Sequence, residues 1–151
     1  MKFAVIGGDR RSAWLCALLE GDGHRVYTYA LEKAELPKEV PKAGCLQGCV
    51  YGADWIILPT PAERGGVLNA PYSSEQLRLE EIISALWPGQ VLCGGKLSQS
   101  AAVGAVRAGL QVQNQSEILT RHTACPAGSA RYRLKLKTRL SIIRFQTATP
   151  L

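Results

Sequence analysis

The residues with the clearest chemical potential are Gly7, Gly8, Asp9, Arg10 and Arg11, which directly follow the apolar run Phe3-Ala4-Val5-Ile6. A buried strand that stops at a glycine pair and turns into a helix is the junction at which open α/β sheets bind anions. The first-turn N–H groups and the helix dipole both favour negative charge there. This junction lacks the third glycine of a G-x-G-x-x-G fingerprint and carries Asp9 where a phosphate would sit, so a dinucleotide is not the first expectation. Arg10, Arg11 and Arg64 offer forked guanidinium partners for a small carboxylate. Two other apolar runs end in similar fashion, at Pro59-Thr60-Pro61 and at Gly94-Gly95. Glycines at such ends let a ligand approach the backbone, and Thr60 adds a hydroxyl. The same glycines serve equally well as tight turns, the arginines as solvated side chains, and Asp9 as a helix cap.

Elements that would position these residues follow from the hydrophobic pattern. Phe3 to Ile6 reads as the first strand and Arg11 to Glu20 as a helix with Trp14, Leu15, Leu18 and Leu19 available for burial. Gly21-Asp22-Gly23 ends that helix, and Arg25 to Ala30 alternates as a second strand. Pro37 and Pro41 break the stretch from Glu32 to Gly44 into loop and broken helix. Trp55 to Leu58 is a third strand. Ser73 reads as an N-cap with Gln76 as its capping-box partner, ahead of a helix whose buried face is Leu79, Ile82, Ile83 and Leu86. Gln90 to Cys93 and Leu110 to Gln113 complete five strands, with a small-residue helix over about Ser98 to Ala108 between them. Strands alternating with helices predict an α/β fold: a doubly wound, mostly parallel sheet of Rossmann or flavodoxin-like type, in a single domain. Ligands of such sheets lie beyond the carboxyl ends of the strands, where the three glycine- and proline-rich ends would line one crevice.

Composition narrows the function. The chain has 151 residues, 46% hydrophobic, enough for one sizeable core. No apolar run approaches the roughly 18 residues of a membrane span, and the early charges interrupt any secretory h-region, so a cytoplasmic protein is expected. The cysteines, Cys16, Cys45, Cys49, Cys93 and Cys125, are an odd set that suits free thiols, and no second pair completes a zinc site around Cys45 and Cys49; no metal is expected. His24 and His122 lack a spaced nucleophile or carboxylate partner, so no catalytic residue can be named. The net charge of +6 is unevenly spread: residues 1–118 carry a net −1 and residues 119–151 a net +7 with no acid at all. The body therefore has no nucleic-acid footprint.

The opening Lys2 to Arg11, the run Ile56 to Pro61, the stretch Arg64-Gly65-Gly66-Val67-Leu68-Asn69-Ala70-Pro71 and the later Gly94-Gly95 together resemble the N-terminal domain of the dipicolinate synthase A-subunit. The resemblance covers about residues 2–118. It implies a sporulation enzyme that works with a flavoprotein-like B-subunit and oxidises a dihydrodipicolinate-type precursor to pyridine-2,6-dicarboxylate. It also implies a nicotinamide cofactor, NAD(P), held by a G-x-G-x-x-G domain C-terminal to the matched region. No such fingerprint occurs in residues 119–151, so this chain is expected to bind no cofactor alone and to be inactive by itself. The substrate-side residues this predicts are Gly7, Gly8, Asp9, Arg10, Pro59, Thr60, Arg64, Asn69, Gly94 and Gly95, with a small dicarboxylate as ligand. Two other classes compete with this reading: a small Rossmann-like nucleotide-binding module using Gly7-Gly8 for phosphate, and an interaction protein acting through its basic tail. The tail, residues 119–151, reads as the product of a slipped reading frame, as an edge strand over Arg131 to Ile142, or as a segment that binds an acidic surface.

Overall fold

In the computed structural model, which describes residues 1–114, the chain folds as a five-stranded parallel sheet with helices on both faces. The elements are β1 (Lys2–Ile6), α1 (Arg10–Gly21), β2 (Arg25–Tyr29), α2 (Leu46–Val50), β3 (Trp55–Ile57), β4 (Glu63–Arg64), β5 (Val67–Leu68), α3 (Leu79–Ser84), β6 (Val91–Gly94), α4 (Gln99–Arg107) and β7 (Gln111–Asn114). The sheet order is β2-β1-β3-β6-β7, and β4 and β5 form a separate antiparallel hairpin. The expected doubly wound α/β fold is therefore present. The order reverses between β1 and β3, so the ligand crevice of such a sheet lies at the carboxyl ends of those two strands.

Side-chain alternation divides the core in two. Phe3 and Val5 of β1, with Trp55 and Ile57 of β3, pack against Ala13, Leu15, Cys16 and Leu19 of α1. Ala4, Ile6 and Ile56 point the other way, onto Cys49 and Val50 of α2, Leu79, Ile82 and Ile83 of α3, and Ala101 and Ala105 of α4. A sheet covered on both faces needs near-continuous apolar strands, and β1 and β3 are buried throughout apart from Lys2.

Three sequence expectations differ from the structure. Trp14 and Leu18 are 58% and 48% exposed rather than buried, because α1 turns only its Ala13, Leu15, Cys16 and Leu19 stripe to the sheet. Ser73 does not cap α3: its hydroxyl accepts the Glu75 N–H at 3.0 Å inside a loop. The helix starts six residues later, where the Glu81 carboxylate accepts the Arg78 N–H at 3.3 Å. The predicted apolar face of Leu79, Ile82, Ile83 and Leu86 is nonetheless buried. Between Glu32 and Gly44 there is loop with one parallel bridge, Lys42 to Thr28 of β2, and no helix; the helical turn comes afterwards, at α2. Among the described residues no helix is long and apolar enough to cross a membrane. The tail, with His122, Cys125 and the Arg131 to Ile142 segment, lies outside the described residues.

Candidate functional site

The first junction is built around Asp9. Its carboxylate accepts the Arg11 N–H at 2.9 Å and so caps α1, and it also takes the Arg11 guanidinium as a fork, with Nη2 to Oδ2 at 2.9 Å and Nε to Oδ1 at 3.1 Å. Partial burial pushes the Asp9 carboxyl up, but hydrogen bonds and charge from Arg11 outweigh it and hold the group below its ordinary value of 3.8. Arg11 then extends across the switch point, Nη2 donating to Thr60 O at 2.9 Å. One guanidinium thus ties the ends of β1 and β3 together. The anion position at the α1 N-terminus is taken by the protein's own carboxylate.

The glycines of this region are required by their surroundings. Gly7 and Gly8 have φ of +69° and +109°, which side chains rarely adopt. A Cβ on Gly7 would lie 2.6 Å from Leu68 Cδ2, and one on Gly8 would collide with Ser12 Oγ and lie 2.8 Å from Ser12 Cβ. A Cβ on Gly94 would meet Leu58 Cβ at 2.8 Å, and one on Gly95 the Cα atoms of Thr60 and Pro61 at 3.1 Å. The space that glycine-rich spacing leaves for a ligand is filled at all four positions by chain packed against chain.

Of the remaining predicted residues, Pro59 is buried and accepts the Gly95 N–H at 3.2 Å, which joins the ends of β3 and β6. Thr60 precedes a cis peptide bond to Pro61, and its Oγ1 is buried with no hydrogen-bond partner. Asn69 is 6% exposed and is turned inward: Nδ2 donates to Pro61 O at 3.0 Å and its N–H to Ala62 O at 2.8 Å, which seats the β4–β5 hairpin on the β3 loop. Arg10 is exposed, with its guanidinium 5.6 Å from the Trp14 ring centre. Arg64 is exposed on β4 and has no partner among the described residues. The structure therefore brings all ten residues to one end of the sheet. Arg10, Thr60 and Arg64 keep polar groups uncommitted to a hydrogen bond.

Sequence reasoning missed Glu63, Lys96 and Ser98 at the same end. Ser98 caps α4, accepting the Ala101 N–H at 3.4 Å, and donates to the Glu63 carboxylate at 3.3 Å; Lys96 is exposed two residues before it. The only available signal was Ser98 at a helix start. Between α1 and the end of β3 lies a hollow of about 20 Å³ lined by Arg11, Ser12, Leu15, Ile57, Leu58, Pro59 and Thr60, room for about one water. A far larger open hollow of about 1120 Å³ lies at the opposite end, by the amino ends of β1, β3, β6 and β7, with Tyr51, Asp54, Trp87 and Gln111 on its walls. No helix N-terminus and no cation of the first junction faces it, so size and chemistry point to opposite ends. Polar groups converge at the carboxyl end, which makes it the candidate site.

Two of the described thiols are held in the protonated form. Burial pushes the Cys16 and Cys49 thiols up to about 12, which leaves them protonated at neutral pH. Exposed Cys45 caps α2, its Sγ accepting the Gly48 N–H at 3.4 Å.

No curated protein matches the chain. Among solved structures it is similar to the A chain of dipicolinate synthase from Bacillus subtilis, at 20% identity and a TM-score of 0.65 over 82% of this chain. It is also similar to the dipicolinate synthase A-subunit from Bacillus halodurans, at 18% identity and a TM-score of 0.64 over 77% of this chain. The matched regions are 46% and 40% of those two chains, so the present chain spans under half their length. The family model for the N-terminal domain of the dipicolinate synthase A-subunit matches residues 2–114. By that match over the whole described fold, the chain belongs to the family of dipicolinate synthase A-subunit N-terminal domains.

Proposed function

We propose that this chain is the substrate-side domain of a protein like the dipicolinate synthase A-subunit, and that it supplies one wall of a pocket for a small dicarboxylate. Family membership favours this reading, and the first junction carries it. The α1 N-terminus is neutralised by Asp9, the space over Gly8 is filled by Ser12, and the third glycine is missing, so the residues present do not fit a dinucleotide pyrophosphate. A nicotinamide cofactor, NAD(P), then has to be held by another domain, and no chemical step is assigned to this chain alone. The same facts weigh against a free-standing nucleotide-binding module.

On this wall Arg64 and Arg10 are the candidate carboxylate partners, because their guanidinium groups are exposed and Arg11 is engaged with Asp9 and Thr60. Thr60 Oγ1, buried without a hydrogen-bond partner, is the further polar group of this wall, whereas Gly94 and Gly95 are packed against Leu58, Thr60 and Pro61. The natural setting is a cytoplasmic complex with a dipicolinate synthase B-subunit, in a sporulating cell. The test is turnover. The purified chain, given oxidised nicotinamide cofactor and a dihydrodipicolinate-type substrate, is expected to yield no reduced cofactor, and addition of a separately made cofactor domain from a relative is expected to restore it. Cofactor reduction by the chain alone would overturn the proposal.

A further inference from the structure

Residues 68–77 form an Ω-shaped loop. Its neck is closed by the Leu68 N–H donating to Leu77 O at 2.7 Å, and it is apolar: Leu68 is buried and Leu77 packs on the core. Its tip is polar. Ser73 N–H donates to Ala70 O at 3.0 Å and Glu75 N–H to Ser73 Oγ at 3.0 Å, and Pro71, Ser74, Glu75 and Gln76 are exposed.

The tip is docked onto the turn after β2 through three hydrogen bonds. Lys33 N–H donates to Tyr72 O at 3.1 Å and Lys33 Nζ to Ser73 O at 3.2 Å, and Ser74 N–H donates to the Glu32 carboxylate at 3.2 Å. The half-buried Tyr72 ring is its apolar anchor. Between neck and tip, Ala70 lies over Gly7, its Cβ 3.1 Å from where a Gly7 Cβ would be. The loop thus covers the end of β1, at the switch point.

Hydrogen bonds at an exposed surface are readily exchanged for water, whereas breaking the neck would expose Leu68 and Leu77. The tip can therefore release at a lower free energy than the sheet can unfold. We propose that residues 70–76 are a lid over the carboxyl end of β1, hinged at the Leu68–Leu77 neck and latched by Glu32 and Lys33, which opens without unfolding of the sheet and gates the crevice. The gating role rests on the reading of the crevice given above; the opening itself does not.

Amide hydrogen exchange on the full chain tests it, measured by NMR at several low urea concentrations. The Ser73, Ser74 and Glu75 amides are expected to exchange at rates independent of urea, whereas Ile56 and Leu58 exchange with the urea dependence of global unfolding. The double variant Glu32→Ala/Lys33→Ala removes two latch bonds while keeping the backbone bond from Lys33 N–H to Tyr72 O, and should speed exchange of the tip about tenfold. Tip amides that follow urea as the sheet does would overturn the lid, and unchanged tip rates in the variant would overturn the latch. Pyridine-2,6-dicarboxylate is expected to slow tip exchange. A lid that opens but is not slowed by it would remove the gating role and count against the crevice reading, whereas a lid that never opens leaves that reading to the turnover assay.

Discussion

The two ends of this sheet are built from similar loops and have opposite character. At the carboxyl end, β1, β3 and β6 finish in glycines and prolines that are packed against one another, and Arg11 bonds to both Asp9 and Thr60 O. At the amino end, Tyr51 and Trp87 stand 69% and 59% exposed around an open hollow, and Gly52 and Gly89 have nothing near the position of a Cβ. Glycines at both ends have positive φ, but collisions under 3.0 Å occur only at the carboxyl end, at Gly7, Gly8 and Gly94; at the amino end Gly109 alone is crowded, 3.2 Å from Pro88 Cβ. A hollow reports where chains fail to meet; a site requires polar groups held in place, and holding them costs packing contacts at the end where they converge.

The largest expected effect breaks the packed end. Gly8→Val combines a strained φ with a collision against Ser12 and should cost about 3 kcal/mol or more in urea unfolding, from backbone strain and overpacking together. Gly52→Ala at the open end carries only the φ penalty and should cost about 1 kcal/mol. Equal losses at the two positions would erase the contrast.

A smaller effect probes the cross-link between strand ends. Arg11→Met removes the fork on Asp9 and the bond to Thr60 O, and should cost about 0.5–1 kcal/mol at neutral pH, discounted because both side chains are about one third exposed. The folded Asp9 has a depressed pKa, so its contribution is present above the ordinary value of 3.8 and is lost as pH falls through the lower folded value. The gap between the stability curves of wild type and Arg11→Met should therefore narrow on acidification below that range, to what the bond to Thr60 O contributes. A gap that does not narrow in acid would mean that Arg11 acts through packing or Thr60 alone.

Smallest of all, Trp87→Ala should change stability by about 0.5 kcal/mol or less, because the ring is mostly in water. A loss near that of Gly8→Val would show that the open end is more tightly built than its exposure indicates.

Much of the fold is legible in the sequence because the signals are local. Phe3 to Ile6 and Trp55 to Leu58 are uninterrupted apolar runs of strand length and form strands; Leu79, Ile82, Ile83 and Leu86 repeat at helical spacing and are all buried, but the helix is only Leu79–Ser84 and Leu86 lies beyond its end. The hairpin of β4 and β5 is not legible, since two-residue strands have no periodicity. Nor is the exposure of Trp14 and Leu18, which depends on which stripe of α1 meets the sheet. At the site, the Gly-Gly-Asp junction shows itself as a capped turn. The reach of Arg11 to Thr60 O, 49 residues away, and the Ω-loop across Gly7 are products of topology that no spacing encodes.

Whether the carboxyl end, and not the large hollow, faces the ligand is tested most directly by titrating the isotopically labelled full chain with pyridine-2,6-dicarboxylate, and separately with NADP, while following its amide resonances. Saturable shifts are predicted for the dicarboxylate at Gly7 to Ser12, Thr60, Arg64 and Gly94 to Ser98, and none with the dinucleotide. Shifts gathered at Tyr51, Trp87 and Gln111, a dinucleotide response at Gly8, or no response to the dicarboxylate at any concentration would contradict the assignment of the site to the carboxyl end.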